Sequence, residues 1–204
     1  PTSNLEKAFK DEGDEIRLRY TILHDGQTEV PGDPTWNEDN PYVISASKHK
    51  SGRCNMKLFI PVNRRPSPYD APHNPLNIRL LRYAEVLLMY AETENALNHD
   101  SEAQWALNKV RQRVQLPEVT ATGTALRDAI RTERRLELAL EGTRLDDLRR
   151  WKMDDGKTMM EHVFGPNGTF VKYNMEESTD PYETTNQQEN SNEGINFQAP
   201  RDLL

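Results

Sequence analysis

The stretch Thr124–Trp151, TALRDAIRTERRLELALEGTRLDDLRRW, decides how the rest of the chain must fold. Ala125–Glu141 of this stretch is projected on a helix at about 100° per residue. One arc of roughly a third of the circle then holds Leu126, Ala129, Ile130, Leu136 and Leu140. Glu133 and Glu137 lie in the middle of that arc, one turn apart. The sequence therefore predicts a helix that directs two carboxylates toward the core.

These two carboxylates leave two interpretations open. A buried carboxylate costs several kcal/mol unless it is paired and hydrogen-bonded. Glu133 and Glu137 are therefore either a general acid/base couple in a cleft or acids neutralised by arginines from other helices. Because unpaired buried charges are rare, we favour structural pairing. Arg79 and Arg82 are the expected partners, and Arg144 is a further compensating charge.

Composition argues against several classes of function. The formal net charge is −7 and no basic run is present, so we expect no nucleic-acid partner. The single cysteine, Cys54, and five scattered histidines offer no ligand set for a metal. A di-iron carboxylate site would also need Glu-x-x-His on facing helices, and this motif is missing. The sequence predicts no metal site and no cofactor.

Helical periodicity is strongest in the middle of the chain. We predict a long helix over Asn77–Asn98, apolar nearly all round in its first half and therefore buried, and a second helix ending at Val114. The unit from 84 to 117 has the helix-turn-helix length of a tetratricopeptide repeat (TPR), without its Trp and Gly marks. A short helix over Arg144–Trp151 would complete two antiparallel pairs. The predicted fold class is mainly α: TPR-like antiparallel helix pairs, long loop-rich segments and at most short hairpins.

The flanking segments carry weaker signals. Alternation over Ile16–Leu23 and the run Met56–Val62 each predict a short strand. Prolines break the chain repeatedly between 30 and 75, which indicates a long loop. The turn at Gly165–Gly168 predicts a hairpin spanning 164–173, and residues 176–196 are polar enough to be a loop.

Aromatic residues in the proline-rich loop are the candidate ligand contacts. Trp36, Tyr42 and Tyr69 lie there, and loop aromatics on a helical scaffold are a usual way to bind flat apolar faces such as sugar rings. The other interpretation is that each ring folds back onto the helices as packing.

Three segments in this order resemble the C-terminal region of the SusD/RagB family, surface glycan-binding lipoproteins of Bacteroidetes. They are IRLLRYAEVLLMYAETENAL, LNKVRQRV and LRDAIRTERRLELALEGTRLDDLRRW. The likeness covers residues 77–151 well, the loops before them in character only, and the tail weakly. It implies TPR-like helices, binding rather than catalysis, and therefore no enzyme activity.

The resemblance also implies partners and a location. We expect an oligosaccharide ligand, delivery to a TonB-dependent outer-membrane transporter, and a lipid anchor at the outer membrane's outer surface. We expect this chain to be a C-terminal portion of a longer protein, and one domain over 1–204. Its parts are a ligand-facing loop-rich segment (1–76), a helical scaffold (77–153), and a loop and tail (154–204). The alternative is a TPR-like module that binds a protein or peptide without carbohydrate.

Overall fold

The computed structural model describes residues 1–45, 51–69, 75–165 and 168. The predicted hairpin at 164–173 lies almost entirely outside these residues, and the polar segment at 176–196 lies wholly outside them. Within the described part, no helix combines the length and apolar character that crossing a bilayer requires.

Helices dominate the described residues, which confirms the predicted mainly α class. They are α1 Ser3–Asp11, α2 Glu15–Thr21, α3 Tyr83–Ala96, α4 Asp100–Arg113, α5 Gly123–Glu137, α6 Arg144–Arg150 and α7 Met159–Phe164. Two short strands, β1 Ile22–His24 and β2 Arg53–Asn55, pair antiparallel, with Leu23 opposite Cys54.

The main hydrophobic core lies between α3, α4 and α5. Leu88 and Leu107 are fully buried there, and Ile130 from α5 packs against them. Alanines 91, 103 and 106 are also fully buried, and their small side chains permit close approach of the helices. The short turn after Ala96 returns the chain as a helix pair, as the TPR-like prediction requires.

A second core joins the N-terminal helices to the far end of α5. Phe9 from α1 is fully buried and packs with Leu18, Ile22 and Leu136. The apolar stripe of α5 is therefore divided: Leu126 and Ile130 serve the first core, whereas Leu136 serves the second.

Both predicted strands were wrong. Residues 15–21 form a helix because Asp14 caps it, accepting a hydrogen bond from the Arg17 backbone N–H at 3.0 Å. Leu18 and Ile22, one helical turn apart, then both reach the second core. The later strand is Arg53–Asn55, just before the predicted Met56–Val62. A hydrogen bond from the Met56 N–H to the Thr21 carbonyl continues this pairing by one residue, to the first residue of the predicted strand.

Helix α3 begins later than its apolar sequence predicts. Residues 77–82 are not helical, and Ile78, Leu80 and Leu81 are 81%, 91% and 63% exposed, so the expectation of burial all round was wrong. Arg82 has an extended backbone, and its side chain is held by Glu137, the last residue of α5, and by Glu141 four residues later. Those contacts fix the chain direction just ahead of α3.

The segments flanking the scaffold contain more helix than expected. The loop-rich segment 1–76 starts with α1 and α2, and the tail contains α7. Thr158 and Glu161 form a capping box at the start of α7. This motif is visible in the sequence, but the helix that follows it has only six residues.

Candidate ligand-binding site and its scaffold

Glu133 is the most deeply buried charge of the scaffold, with no exposed surface. Its two oxygens have separate arginine donors: Nη1 of Arg17 lies 2.5 Å from Oε1, and Nη1 of Arg111 lies 3.0 Å from Oε2. Arg17 is also held by Asp14. The carboxylate therefore connects α2, α4 and α5.

Glu137, one turn later, is 2% exposed and accepts hydrogen bonds from three arginines. Arg82 donates to it at 2.7 Å, Arg113 at 2.5 Å and Arg17 at 3.2 Å. Arg82 thus lies on Glu137, as the sequence suggested. The sequence analysis missed Arg17, Arg111 and Arg113. The last two lie in LNKVRQRV at the end of α4. An arginine on the inward face of that helix could have indicated a buried ion pair.

Two of the expected partners lie elsewhere. Arg79 is exposed in the segment before α3, and Arg144, the first residue of α6, lies over the ring of Trp151. Neither contacts Glu133 or Glu137, so pairing of these two arginines with the glutamates was wrong. The reason for Arg79 is that the helix begins six residues after Asn77, so no helical turn carries its side chain toward α5.

The two carboxylates have opposite pKa shifts. Burial raises the pKa of Glu133, against the opposing charges of Arg17 and Arg111. Burial also acts on Glu137, but the hydrogen bond from Arg82 and the charges of Arg113, Arg82 and Arg17 outweigh it and lower the pKa. A raised pKa can mark a general acid. Glu133, however, is enclosed and both its oxygens are occupied, so a substrate has no access to it.

The proline-rich loop is fixed by another buried acid, Asp33, which is 2% exposed. It accepts hydrogen bonds from the Val62 N–H at 2.8 Å, the Thr35 N–H at 3.1 Å and the Trp36 indole at 3.2 Å. Burial raises its pKa, but these donors outweigh burial and lower the pKa overall. Asp33 therefore ties the loop at 30–36 to the chain at 61–65.

The three nominated aromatic residues belong to one row of side chains, in which an arginine lies between the last two rings. Trp36 and Tyr42 meet edge to face with centroids 4.9 Å apart, and Tyr42 meets Phe59 at 5.8 Å. The guanidinium of Arg65 then lies 5.6 Å from the Phe59 ring centroid and 5.2 Å from that of Tyr69. We call these five residues the aromatic row.

Exposure differs along the aromatic row. Tyr69 is 39% exposed, whereas Trp36 and Tyr42 are half-buried and pack against a small core of Leu23, Val30 and Met56. The packing interpretation therefore applies in part to these two rings, although they pack on this small core and not on the scaffold helices. The ligand-contact interpretation stays a prediction.

Asp33, Phe59 and Arg65 are the members of this region that sequence reasoning missed. Arg65 is oriented by a hydrogen bond from Nε to the Ile60 carbonyl at 3.0 Å. The sequence around these three residues alternates prolines with polar residues. This pattern predicts turns, but it does not show which side chains come into contact across them.

The described residues offer little support for a metal site or for a reactive thiol. They contain no group of three or more His, Cys, Asp or Glu side chains placed to hold an ion. Cys54 is a free thiol on β2, and burial raises its pKa, which disfavours the reactive thiolate.

Fold and site together define a helical scaffold that carries a braced, aromatic loop region. The sequence matches the family model of the SusD family over residues 6–201. The chain therefore belongs to the SusD family.

Individual relatives agree with this assignment. Two SusD-like proteins of Formosa agariphila are 41% identical over 116 residues and 36% identical over 110 residues; these matches cover 52% and 49% of this chain. A crystal structure of a SusD-like protein from Bacteroides fragilis superposes with a TM-score of 0.58 at 26% identity, covering 74% of this chain. The matched part is 22% and 21% of the two curated relatives and 35% of the solved chain.

Replacing the buried acid by its amide tests its structural role. We expect Glu133→Gln to lower the free energy of unfolding by about 3–5 kcal/mol, because Arg17 and Arg111 lose the charge that compensates them. Urea unfolding at pH 7 measures the change. The exposed Glu118→Gln is the matched control and should shift stability by less than about 0.5 kcal/mol. Equal stability of the two variants would contradict the structural role of Glu133.

Glu137 predicts a specific pH dependence. Its folded pKa is below its ordinary value of 4.5, so its stabilisation is present above pH 4.5 and is lost as pH falls through the folded pKa. Glu137→Gln should therefore destabilise the protein by about 3 kcal/mol at pH 7 and by less at pH 3. Urea unfolding of both proteins at the two pH values gives the difference. A difference that stays constant or grows on acidification would show that the pairing is not the cause.

Proposed function

We propose that this chain is the C-terminal part of a glycan-binding component of an outer-membrane nutrient-uptake system. The observation that carries the proposal is the aromatic row, held on a braced loop by a member of the SusD family. Sugar rings present flat C–H faces, and aromatic side chains are the residues that match them while losing little conformational entropy.

Preorganisation supports binding at this row. Asp33 fixes the Trp36 indole, and Arg65 holds the Phe59 and Tyr69 rings at similar distances from one cation. Rings that are already ordered lose less freedom when a ligand arrives, which favours affinity. The acids that resembled a catalytic couple are enclosed and paired, so we propose a binding role and no enzyme activity.

The partners are proposed from the family likeness. A member of such an uptake system passes its oligosaccharide to a TonB-dependent transporter in the outer membrane, and a lipid anchor holds the full-length protein on the cell surface. In this proposal residues 1–76 face the ligand, 77–153 form the scaffold, and 154–204 complete a single domain.

A second function is favoured by one exposed surface. On α3, Tyr83 is 73% exposed, Met89 is 42% exposed and Tyr90 is 41% exposed; Trp105 on α4 meets Tyr90 edge to face. Apolar patches of this kind mark protein contacts, so a TPR-like module that binds a protein or peptide is the alternative.

Loss of single rings tests the glycan proposal. In the full-length protein, we expect Tyr69→Ala and Trp36→Ala each to weaken binding about five- to tenfold, because one stacking contact of about 1 kcal/mol is lost. An oligosaccharide array selects the ligand, and calorimetric titration with that oligosaccharide measures the change. Circular dichroism checks that the fold is retained.

Tyr83→Ala is the matched control because it removes an exposed tyrosine from α3, outside the aromatic row. It should leave glycan affinity unchanged. If it weakens binding while Tyr69→Ala and Trp36→Ala do not, the glycan binds at the helical face and the aromatic row is not its site. Unchanged affinity in all three would remove both surfaces from the binding site.

A further inference from the structure

A cavity of about 380 Å³ lies between α5, α6 and the ends of the described chain. Arg134 and Arg135 line it from α5, and Arg144 lines it from α6. Asn4 and Val163, from α1 and α7, complete its rim. The aromatic row contributes no residue to this lining.

The charges on the cavity wall do not balance. Among the described residues, three guanidinium groups line it, and Asp147 is the one carboxylate. Asp147 is already engaged, since it accepts from Arg134 at 3.1 and 3.2 Å and from Arg150 at 2.7 Å. Asp147 is therefore not available to neutralise Arg144, and no other carboxylate stands among the described lining residues.

Arg144 is the least compensated of these cations. Among the described residues its contacts are the Met159 sulfur, 3.8 Å from Nη2, and the Trp151 ring, 5.5 Å from the guanidinium carbon. Burial lowers the pKa of Arg144 to about 10; the charge of Arg135 adds to that shift and Asp147 opposes it. No carboxylate in the described part lies within salt-bridge distance of it, so this cation has room for an anionic partner.

Arg134 supplies a second, independent observation. Its side chain is 5% exposed, and its Nη1 atom is buried with no hydrogen-bond partner among the described residues. A buried guanidinium donor without an acceptor is unfavourable by about the desolvation free energy of that group. An acceptor oxygen in the adjoining cavity would remove this deficit.

We propose that this cavity binds an oxyanion group, a sulfate or a carboxylate, with Arg144 as its principal contact. Guanidinium groups match such anions because their N–H donors pair with two oxygens at once. Leu5, Leu138 and Leu148 make part of the wall apolar, and the volume exceeds that of a bare ion. The site therefore suits an anionic group carried on a small ring as well as a free anion.

Calorimetric titration of the full-length protein tests the site with defined probes. Sodium sulfate, sodium glucuronate and glucose are titrated separately, with sodium chloride holding the ionic strength constant. We expect saturable binding of sulfate and none of glucose. Binding of sulfate alone assigns a free inorganic anion, whereas binding of glucuronate as well assigns a group borne on a saccharide.

Arg144→Met keeps the length and apolar stem of the side chain and breaks no carboxylate pair, so the fold should persist. We expect it to weaken sulfate binding about tenfold or more. The matched control, Arg64→Met, removes one exposed arginine outside the cavity and should bind sulfate like the unmodified protein. Equal affinity in the two variants, or no saturable sulfate binding in the unmodified protein, would overturn the proposal.

Asn4→Asp provides a test that keeps every arginine. The Asn4 side-chain oxygen accepts from Arg135 at 2.6 Å, so the substitution places a carboxylate on the rim without changing its shape. We expect sulfate binding to weaken about tenfold because the added charge competes for the same cations. Undiminished sulfate binding in Asn4→Asp would count against the site even if Arg144→Met failed to fold.

Discussion

The structure depends on how one carboxylate is neutralised. Glu133 has no exposed surface, and water cannot solvate it; its ionised form is tolerable because Arg17 and Arg111 each donate to one oxygen. Arg17 is 116 residues away in sequence. The requirement to pair a buried charge therefore fixes α2 against α5, a constraint that apolar packing, which is non-directional, does not supply by itself.

A similar device operates in the proline-rich loop. Proline removes backbone donors, so a loop rich in it cannot be held by a ladder of hydrogen bonds. Asp33 replaces that ladder with three donors converging on one buried side chain, and the aromatic row then packs over the result. In both regions an acid in the interior sets the geometry, and the exposed residues are left available for recognition.

Much of the scaffold could be predicted because its signals are local. The arc of apolar residues around Glu133 placed two carboxylates inside before any partner was known, and α3 to α6 follow from helical periodicity. The partners of Glu133 could not be predicted, since Arg17 stands in a seven-residue helix whose sequence alternates like a strand. The start of α3 was missed because Ile78 and Leu81 have the composition of a helix interior, while the direction of the chain there is set by Arg82.

The aromatic row, too, could be predicted only in part from the sequence. Trp36, Tyr42 and Tyr69 could be nominated by residue type, since rings in a proline-rich loop suggest recognition. Phe59 and Arg65, which join them, become significant only when turns far apart in sequence are brought together. Residue type thus identified the ends of the row, and tertiary structure supplied its middle.

Helix α5 contributes to both hydrophobic cores and carries the two paired glutamates. The N-terminal helices therefore cannot detach while α5 remains folded without exposing Phe9 and leaving charges unpaired. Backbone amides of α1, α2, α4 and α5 should consequently exchange with deuterium through the same cooperative opening, in one foldon. The segment at 77–81, which precedes the contacts of Arg82 and has exposed side chains, would open separately and at lower free energy.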